Sequence, residues 1–298
     1  MPEPSFDILV CGSLHLDIVV RAPHLPQPDE TVVGQAWDQV CGGKGGNQAV
    51  QAARLGARTA MIGRIGRDDF GARLLAHLDQ SGVDRSEIET DPGTGSGMSI
   101  AAIDTKGDYG AVIVSGSNLA IAPAGIAAAW KRLGGARVLV LQNEVPHAVN
   151  VAAAKVARAA GAITMLNAAP ARESGADLLD RVDVLIVNRI EAAMIFGRPV
   201  ADRATALAAL PALGSDRRTV IVTLGAGGLV VAERGAVPSA IDALPVKPVS
   251  THGAGDCFVG ALAFRLAKGD ALLAACRFAN VIAGHFVAGT QAATEAAC

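Results

Sequence analysis

The residues with the most chemical content lie in Gly253-Ala-Gly-Asp256, which runs straight into an apolar pattern of helical spacing, Phe258, Leu262 and Leu266. Small residues ahead of a helix let the backbone approach a ligand, and the helix start offers unpaired N–H groups and the positive end of a dipole. Such a start suits a phosphate, or the charge that develops as a phosphoryl group moves. Two readings of Asp256 fit this stretch taken alone. It is a carboxylate that takes a proton from an attacking hydroxyl, or an acid set at a helix start for electrostatic reasons.

Cys41-Gly-Gly-Lys-Gly-Gly-Asn47 opens a second helix, which runs through Leu55. No Ser or Thr follows Lys44 as a P-loop requires, and no GxGxxG follows strand Phe6–Cys11 as a dinucleotide site requires. Close backbone approach at Gly43, with the ammonium of Lys44 and the amide of Asn47, suits a polyol; a plain Gly-rich helix entry is the alternative. Asn188 and Glu191 share one face of a first helical turn, where they can hold a hydrated Mg²⁺ or simply cap the helix. Thr223-Leu-Gly-Ala-Gly-Gly228 closes another strand and offers its backbone to nucleotide phosphates, or makes a hairpin turn. Glu144, just past strand Arg137–Leu141, is placed for a substrate hydroxyl or is a surface acid. The six histidines form no HExxH or metal-ligand cluster, and no GxSxG elbow is present.

These stretches need a scaffold that brings distant turns to one edge. From Pro123 onward helices and strands alternate: Ala124–Leu133, Arg137–Leu141, His147–Ala160, Ala162–Leu166, Val184–Val187, Ile190–Phe196, Ala201–Leu213 and Thr219–Thr223. That alternation predicts a parallel sheet with helices on both faces and ligands beyond the carboxyl ends of the strands. A hairpin over Gly228–Val231, with Val246–Val249 nearby, and helices Asp256–Ala267 and Asp270–Val287 follow. Before Pro123, Phe6–Cys11 and Thr59–Ile65 read as buried strands and Asp69–Gln80 as a helix. Leu14–Val20, Glu30–Gly34, Gly97–Asp104 and Ala111–Ser115 read as a separate four-stranded flap.

A chain of 298 residues with net charge −2 has no basic stripe for nucleic acid and no basic amphipathic helix for a membrane surface. No apolar run approaches the roughly 18 residues of a membrane span. The first ten residues lack Lys and Arg, so no signal peptide is expected. Five cysteines (11, 41, 257, 276 and 298) without CxxC spacing read as reduced thiols of a cytoplasmic protein.

Together these stretches resemble the ribokinase family of carbohydrate kinases over nearly the whole chain. The resemblance rests on Gly12-Ser-Leu-His-Leu-Asp17, Leu25–Gly34, Gly42–Val50, Gly66-Arg-Asp-Asp-Phe-Gly71, Asn167–Arg172, Asn188-x-x-Glu191, Thr223-Leu-Gly225 and Gly253-Ala-Gly-Asp256, in that order. It implies one α/β domain over 1–298, a doubly wound, mostly parallel sheet with helices on both faces. A small β-sheet lid, about 14–38 with 97–115, covers the sugar. The implied reaction is transfer of the γ-phosphoryl group of ATP to a primary hydroxyl, with the 5-hydroxyl of D-ribose as the leading acceptor. A kinase for another sugar or a nucleoside is the first alternative, and an inactive sugar-binding protein the second.

Residue by residue, the resemblance makes Asp256 the base and the N–H groups of Gly253, Ala254, Gly255 and Asp256 the anion hole. His15, Asp17, Gly43, Lys44, Asn47 and Glu144 match sugar-holding positions. Asn188, Thr223, Gly225, Gly228, Gly255 and Asn280 match positions around ATP. Glu191, with Asn188, matches the Mg²⁺ position through water, and Ser250 and His252 match a K⁺ position. His15 stands where the family usually has Asn. Ser250 stands where ribokinase-type members carry Asp, so weak K⁺ dependence is expected. The C-terminal Gly289–Ala293 stretch is short of the family pattern. A homodimer through the lid is also implied, since four short strands cannot bury both faces alone.

Overall fold

The structure, a computed structural model, describes residues 3–106 and 108–290; Cys298 and the end of the Gly289–Ala293 stretch lie outside them. In chain order the strands are β1 (Phe6–Cys11), β2 (His15–Arg21), β3 (Ala36–Gly42), β4 (Thr59–Gly66), β5 (Val83–Asp91), β6 (Gly97–Ile103) and β7 (Tyr109–Val114). Then come β8 (Ala136–Gln142), β9 (Ile163–Asn167), β10 (Val184–Asn188), β11 (Thr219–Thr223), β12 (Leu229–Ala232) and β13 (Ser239–Ile241). The helices are α1 (Lys44–Arg54), α2 (Asp69–Gln80), α3 (Ile126–Arg132), α4 (His147–Ala159) and α5 (Ala176–Leu179). They continue with α6 (Arg189–Phe196), α7 (Arg203–Ala209), α8 (Ala254–Ala267) and α9 (Leu272–Val287).

Nine strands form one sheet in the order β13-β12-β11-β10-β9-β8-β1-β4-β5, parallel from β11 to β5, with β12 and β13 antiparallel at the far edge. The central strands are apolar on both faces, as a sheet covered twice requires. Ile8 and Val10 of β1 pack with α1, α8 and α9, while Leu9 and Cys11 pack with α3 and α4 on the opposite side. Fully burying each such Leu or Ile contributes about 1.5–3 kcal/mol. The expected doubly wound architecture is therefore observed.

The chain builds outward from β1 through β4 to β5, then re-enters on the other side of β1 at β8. Strand order thus reverses between β1 and β8. Of the segments leaving these two carboxyl ends, Gly12–Leu14 leads into β2 and Asn143–Val145 toward α4, and both border the crevice where such sheets hold ligands.

A second sheet, β3-β2-β6-β7, forms the lid. It differs from expectation at one strand. Glu30–Gly34 is not a strand; β3 is Ala36–Gly42, paired along the whole of β2 from His15↔Gly42 to Arg21↔Ala36. The Glu30 carboxylate accepts from Gln27 N at 2.9 Å and pairs with the His24 ring at 2.8 Å, which ties the Pro-rich segment into a turn instead. Four further elements differ from the expected set, one of them the short additional helix α5. β5 and β13 were not expected, and Val246–Val249 is not a strand. β5 and β13 are edge strands; β5 carries charge and β13 is three residues long, so neither shows a buried-strand pattern.

Residues paired across the lid strands share a face. One face carries Asp17, Ser99, Val40 and Ile113; the other carries Ile18, Val20, Trp37, Ile100, Val112 and Val114. Both lid ends are fastened by one buried side chain. Asn118 accepts from Leu14 N at 2.9 Å and donates to Leu14 O at 2.8 Å and Ser115 O at 2.9 Å. Asn118→Ala leaves the Leu14 backbone pair unmet and should lower unfolding free energy by about 2 kcal/mol. Urea denaturation measures this; an unchanged midpoint would show that the clasp adds nothing.

Candidate active site

Two helices begin at the crevice. α8 is entered through Gly253 at φ 82°, a backbone conformation side-chain-bearing residues avoid. No side chain caps α8, and among the described residues the N–H groups of Gly255 and Asp256 find no acceptor. They are oriented donors at the positive end of a long helix. A Cβ placed on Gly255 would meet nothing within 4 Å, so open space lies against this backbone.

Asp256 is buried on the first turn of α8. Asn47 Nδ2 donates to its Oδ2 at 3.1 Å, and Gln48 Nε2 to its Oδ1 at 2.8 Å. Burial pushes its carboxyl above the usual range; Lys44 and the two amides pull it back down without cancelling the effect, and Glu144 adds to the rise.

α1 starts just after Gly43, whose φ of 84° turns the chain from the lid into the helix. Its first turn locks onto the end of β1. Gly46 N donates to Ser13 O at 2.9 Å, while Glu144 Oε2 accepts from Lys44 N at 2.9 Å and Ser13 Oγ at 2.5 Å. Buried His15 holds Nδ1 3.9 Å from Glu144 Oε2, and among the described residues its Nε2 has no partner. Asp17 accepts from Ser99 Oγ at 2.5 Å on the lid face that looks into the crevice. Burial works against the charge of the Lys44 ammonium, but the carboxylates of Asp256, Glu144, Glu191 and Asp17 outweigh it and raise its pKa. His15, Asp17, Gly43, Lys44, Asn47, Glu144 and Asp256 therefore gather at one site.

On the other side of the α8 start lies a cavity of about 500 Å³. Thr223, Gly225, Gly228, Gly255 and Asn280 line it, beside Leu229, Leu244, Val246 and Phe258. Asn280 donates to Asp242 O at 2.8 Å, fixing the wall. Asn188 does not line this cavity. It caps α6: its Oδ1 accepts from Ile190 N and Glu191 N, while Glu191 Oε2 and Oε1 accept from Asn188 N at 2.6 Å and Nδ2 at 2.8 Å. The capping box foreseen as an alternative is present. Burial raises the Glu191 pKa, against the pull of Asn188 and Lys44. With both its oxygens engaged, Glu191 fits a metal held through water better than one bound directly.

Ser250 and His252 lie exposed ahead of α8, joined by a 3.3 Å bond from His252 N to Ser250 Oγ. Among the described residues, no group of three His, Cys, Asp or Glu side chains could hold a metal. Sequence reasoning assigned no role to Ser13, Gln48, Ser99 or Gln142. Gln48 stood inside the Gly-rich motif, and Ser99 faces Asp17 by register, but neutral side chains carry no signal until the strands are paired.

A buried carboxylate between a polar crevice and an apolar cavity edged by free backbone donors fits a phosphotransferase site on a doubly wound fold. The chain belongs to the pfkB family of carbohydrate kinases, whose family model matches residues 5–296. It is 36% identical over 274 residues to the ribokinase of Bacillus subtilis, covering 92% of this chain and 90% of that one. It is 30% identical over 285 residues to the deoxyribokinase of Salmonella typhimurium, covering 95% and 93%. The structure of Arabidopsis thaliana ribokinase complexed with ribose and ATP superposes with a TM-score of 0.86 at 27% identity, covering 99% and 95%.

Burial disfavours the ionised form of a carboxyl, so Asp256 and Glu191 should both titrate above the ordinary range for Asp and Glu. Lys44→Met should raise both further. Carboxyl carbon NMR of the ligand-free protein reads this out, and unshifted titrations would contradict the electrostatics described here.

Proposed function

We propose that this kinase transfers the γ-phosphoryl group of ATP to the 5-hydroxyl of D-ribose, with Asp256 as the base. The observation that carries the reading is the place of Asp256. Its carboxylate touches Asn47 on the polyol side, and its neighbours Ala254 and Gly255 line the nucleotide cavity. A hydroxyl held beside Oδ2 gives up its proton as its oxygen bonds to phosphorus, and ADP leaves with the bridging oxygen. The raised carboxyl pKa favours this acceptance. The free N–H groups at the start of α8 meet the charge on the transferring group. Asp17, Asn47, Glu144 and His15 supply hydrogen-bonding groups for the ring hydroxyls, and Lys44 offsets charge among them. Thr223, Gly225, Gly228 and Asn280 hold the nucleotide.

Mg²⁺ bound with ATP would offset the negative charge of the phosphates. Glu191 and Asn188 are the residues placed to meet its water shell. We assign K⁺ a weak effect, because neutral Ser250 replaces a carboxylate. The free cysteines 11, 41, 257 and 276 support a reducing, cytoplasmic setting. No helix among the described residues is long and apolar enough to cross a membrane.

Asp256→Asn should keep binding of ATP and sugar, measured by calorimetry, while turnover falls about 10²- to 10⁴-fold. Turnover within threefold of the parent would remove Asp256 as base. The kcat/KM values for ribose, 2-deoxyribose, fructose and inosine should rank ribose first; a tenfold preference for another acceptor would overturn the substrate while leaving the kinase. We also propose a homodimer through the outward lid face, where Trp37, Val112 and Val114 are 63%, 67% and 52% exposed. Light scattering at micromolar concentration should show twice the chain mass, and Val112→Asp should halve it; a monomeric parent would refute the dimer.

A further inference from the structure

Two buried glutamines stand behind the Asp256 carboxylate. Gln48 on α1 is 1% exposed, and Gln142, the last residue of β8, is 0% exposed. Gln142 Nε2 donates to Gln48 Oε1 at 2.8 Å, and Gln48 Nε2 donates to Asp256 Oδ1 at 2.8 Å. The direction of this chain follows from its end: an ionised carboxylate accepts hydrogen bonds and cannot donate. Gln48 must therefore turn its NH₂ toward Asp256, which leaves its carbonyl in need of a donor, and Gln142 provides one.

Gln142 is itself held in place. Its backbone carbonyl accepts from Asn150 Nδ2 at 2.8 Å, and its side chain runs beneath Gly12. A Cβ at Gly12 would fall 2.0 Å from Gln142 Oε1, so the first glycine after β1 makes room for this amide. The two oxygens of Asp256 thus differ. Oδ1 is tied to a wholly buried chain, whereas Oδ2 takes the longer, 3.1 Å bond from part-buried Asn47 at the edge of the polyol crevice.

We propose that Gln142 and Gln48 are positioning residues: their amide chain anchors Oδ1 and so keeps Oδ2 aimed at the attacking hydroxyl. The proposal rests on Asp256 being the base. The charged groups facing that carboxylate are Lys44 from α1 and Glu144 from the loop after β8. Neighbouring Cys257 stays a neutral thiol, its pKa pushed up to about 12 by burial. A hydrogen bond to the ionised form favours that form, so loss of the Gln48 donor raises the Asp256 pKa.

The test uses Gln48→Met and Gln142→Met, which keep side-chain length and lose the amide. For Gln48→Met, kcat should fall about tenfold. The acid limb of its pH profile should move up by about half a unit. KM for ribose and ATP should stay within twofold. Gln142→Met should shift the same quantities in the same direction by less. If Gln142→Met does not fold, Gln48→Met with carboxyl NMR of Asp256 decides alone. A limb that stays in place with kcat within twofold of the parent overturns the proposal. So does a rise in KM at unchanged kcat, which would make the glutamines part of the sugar pocket. In an Asp256→Asn background the Gln48 substitution should add no further loss. If Asp256→Asn itself retains turnover, it is the base reading that has failed.

Discussion

Buried carboxylates crowded together are costly unless a cation shares their space, and the crevice of this protein meets that constraint with Lys44. Its ammonium feels Asp17 from the lid, Glu144 from the loop after β8, Glu191 from α6 and Asp256 from α8. These four acids come from four separate parts of the chain, so one side chain couples the lid, the loop after β8, α6 and the start of α8. The compensation is incomplete. Asp256 and Glu191 still have raised pKa values, because burial outweighs what one lysine returns. An incompletely neutralised carboxylate is a poor structural ion pair and a good proton acceptor, which is the condition a kinase base requires.

Holding Lys44 and Asp256 near one another is a packing problem that small residues solve. α1 and α8 lie so close that a Cβ on Gly260 would come within 2.7 Å of the Gln48 carbonyl oxygen. Ala49, Ala52, Ala261 and Ala263 belong to the same buried cluster. Close packing of two helices in register brings both N-termini to the crevice together. The starts of α1 and α8 are therefore set by one interface, and a larger residue at Gly260 would move them apart.

What was legible in the sequence was whatever depends on local chemistry. Helix starts at Gly43 and Gly253, the apolar strands β1 and β8, and each charged site residue could be read because glycine, carboxylate and periodicity carry their meaning within a few residues. The capping of α6 by Asn188 and Glu191 was legible only as one of two alternatives, since the same pair at the same spacing serves either use. Residues 36–42 carry no strand signal, and the strand is expected instead at Glu30–Gly34, because β3 mixes Trp37, Asp38, Gln39 and Val40 and such an edge strand is recognisable only from its partner β2. Gln48 and Gln142 were silent for a related reason: an amide becomes informative once its two ends have neighbours.

His15 shows the same limit at the point where the acceptor is chosen. Its ring is buried, one nitrogen 3.9 Å from Glu144 and the other without a partner among the described residues. A buried polar atom left unmet costs about 1–3 kcal/mol. A ring hydroxyl that reaches Nε2 recovers that cost on binding, whereas an analogue lacking the hydroxyl leaves it in place. Sites of this kind discriminate against missing hydroxyls more sharply than apolar pockets discriminate by size. An imidazole in place of an amide keeps that logic while changing the reach of the donor, so under the proposed function the choice of sugar turns on which hydroxyl fits between His15 and Glu144.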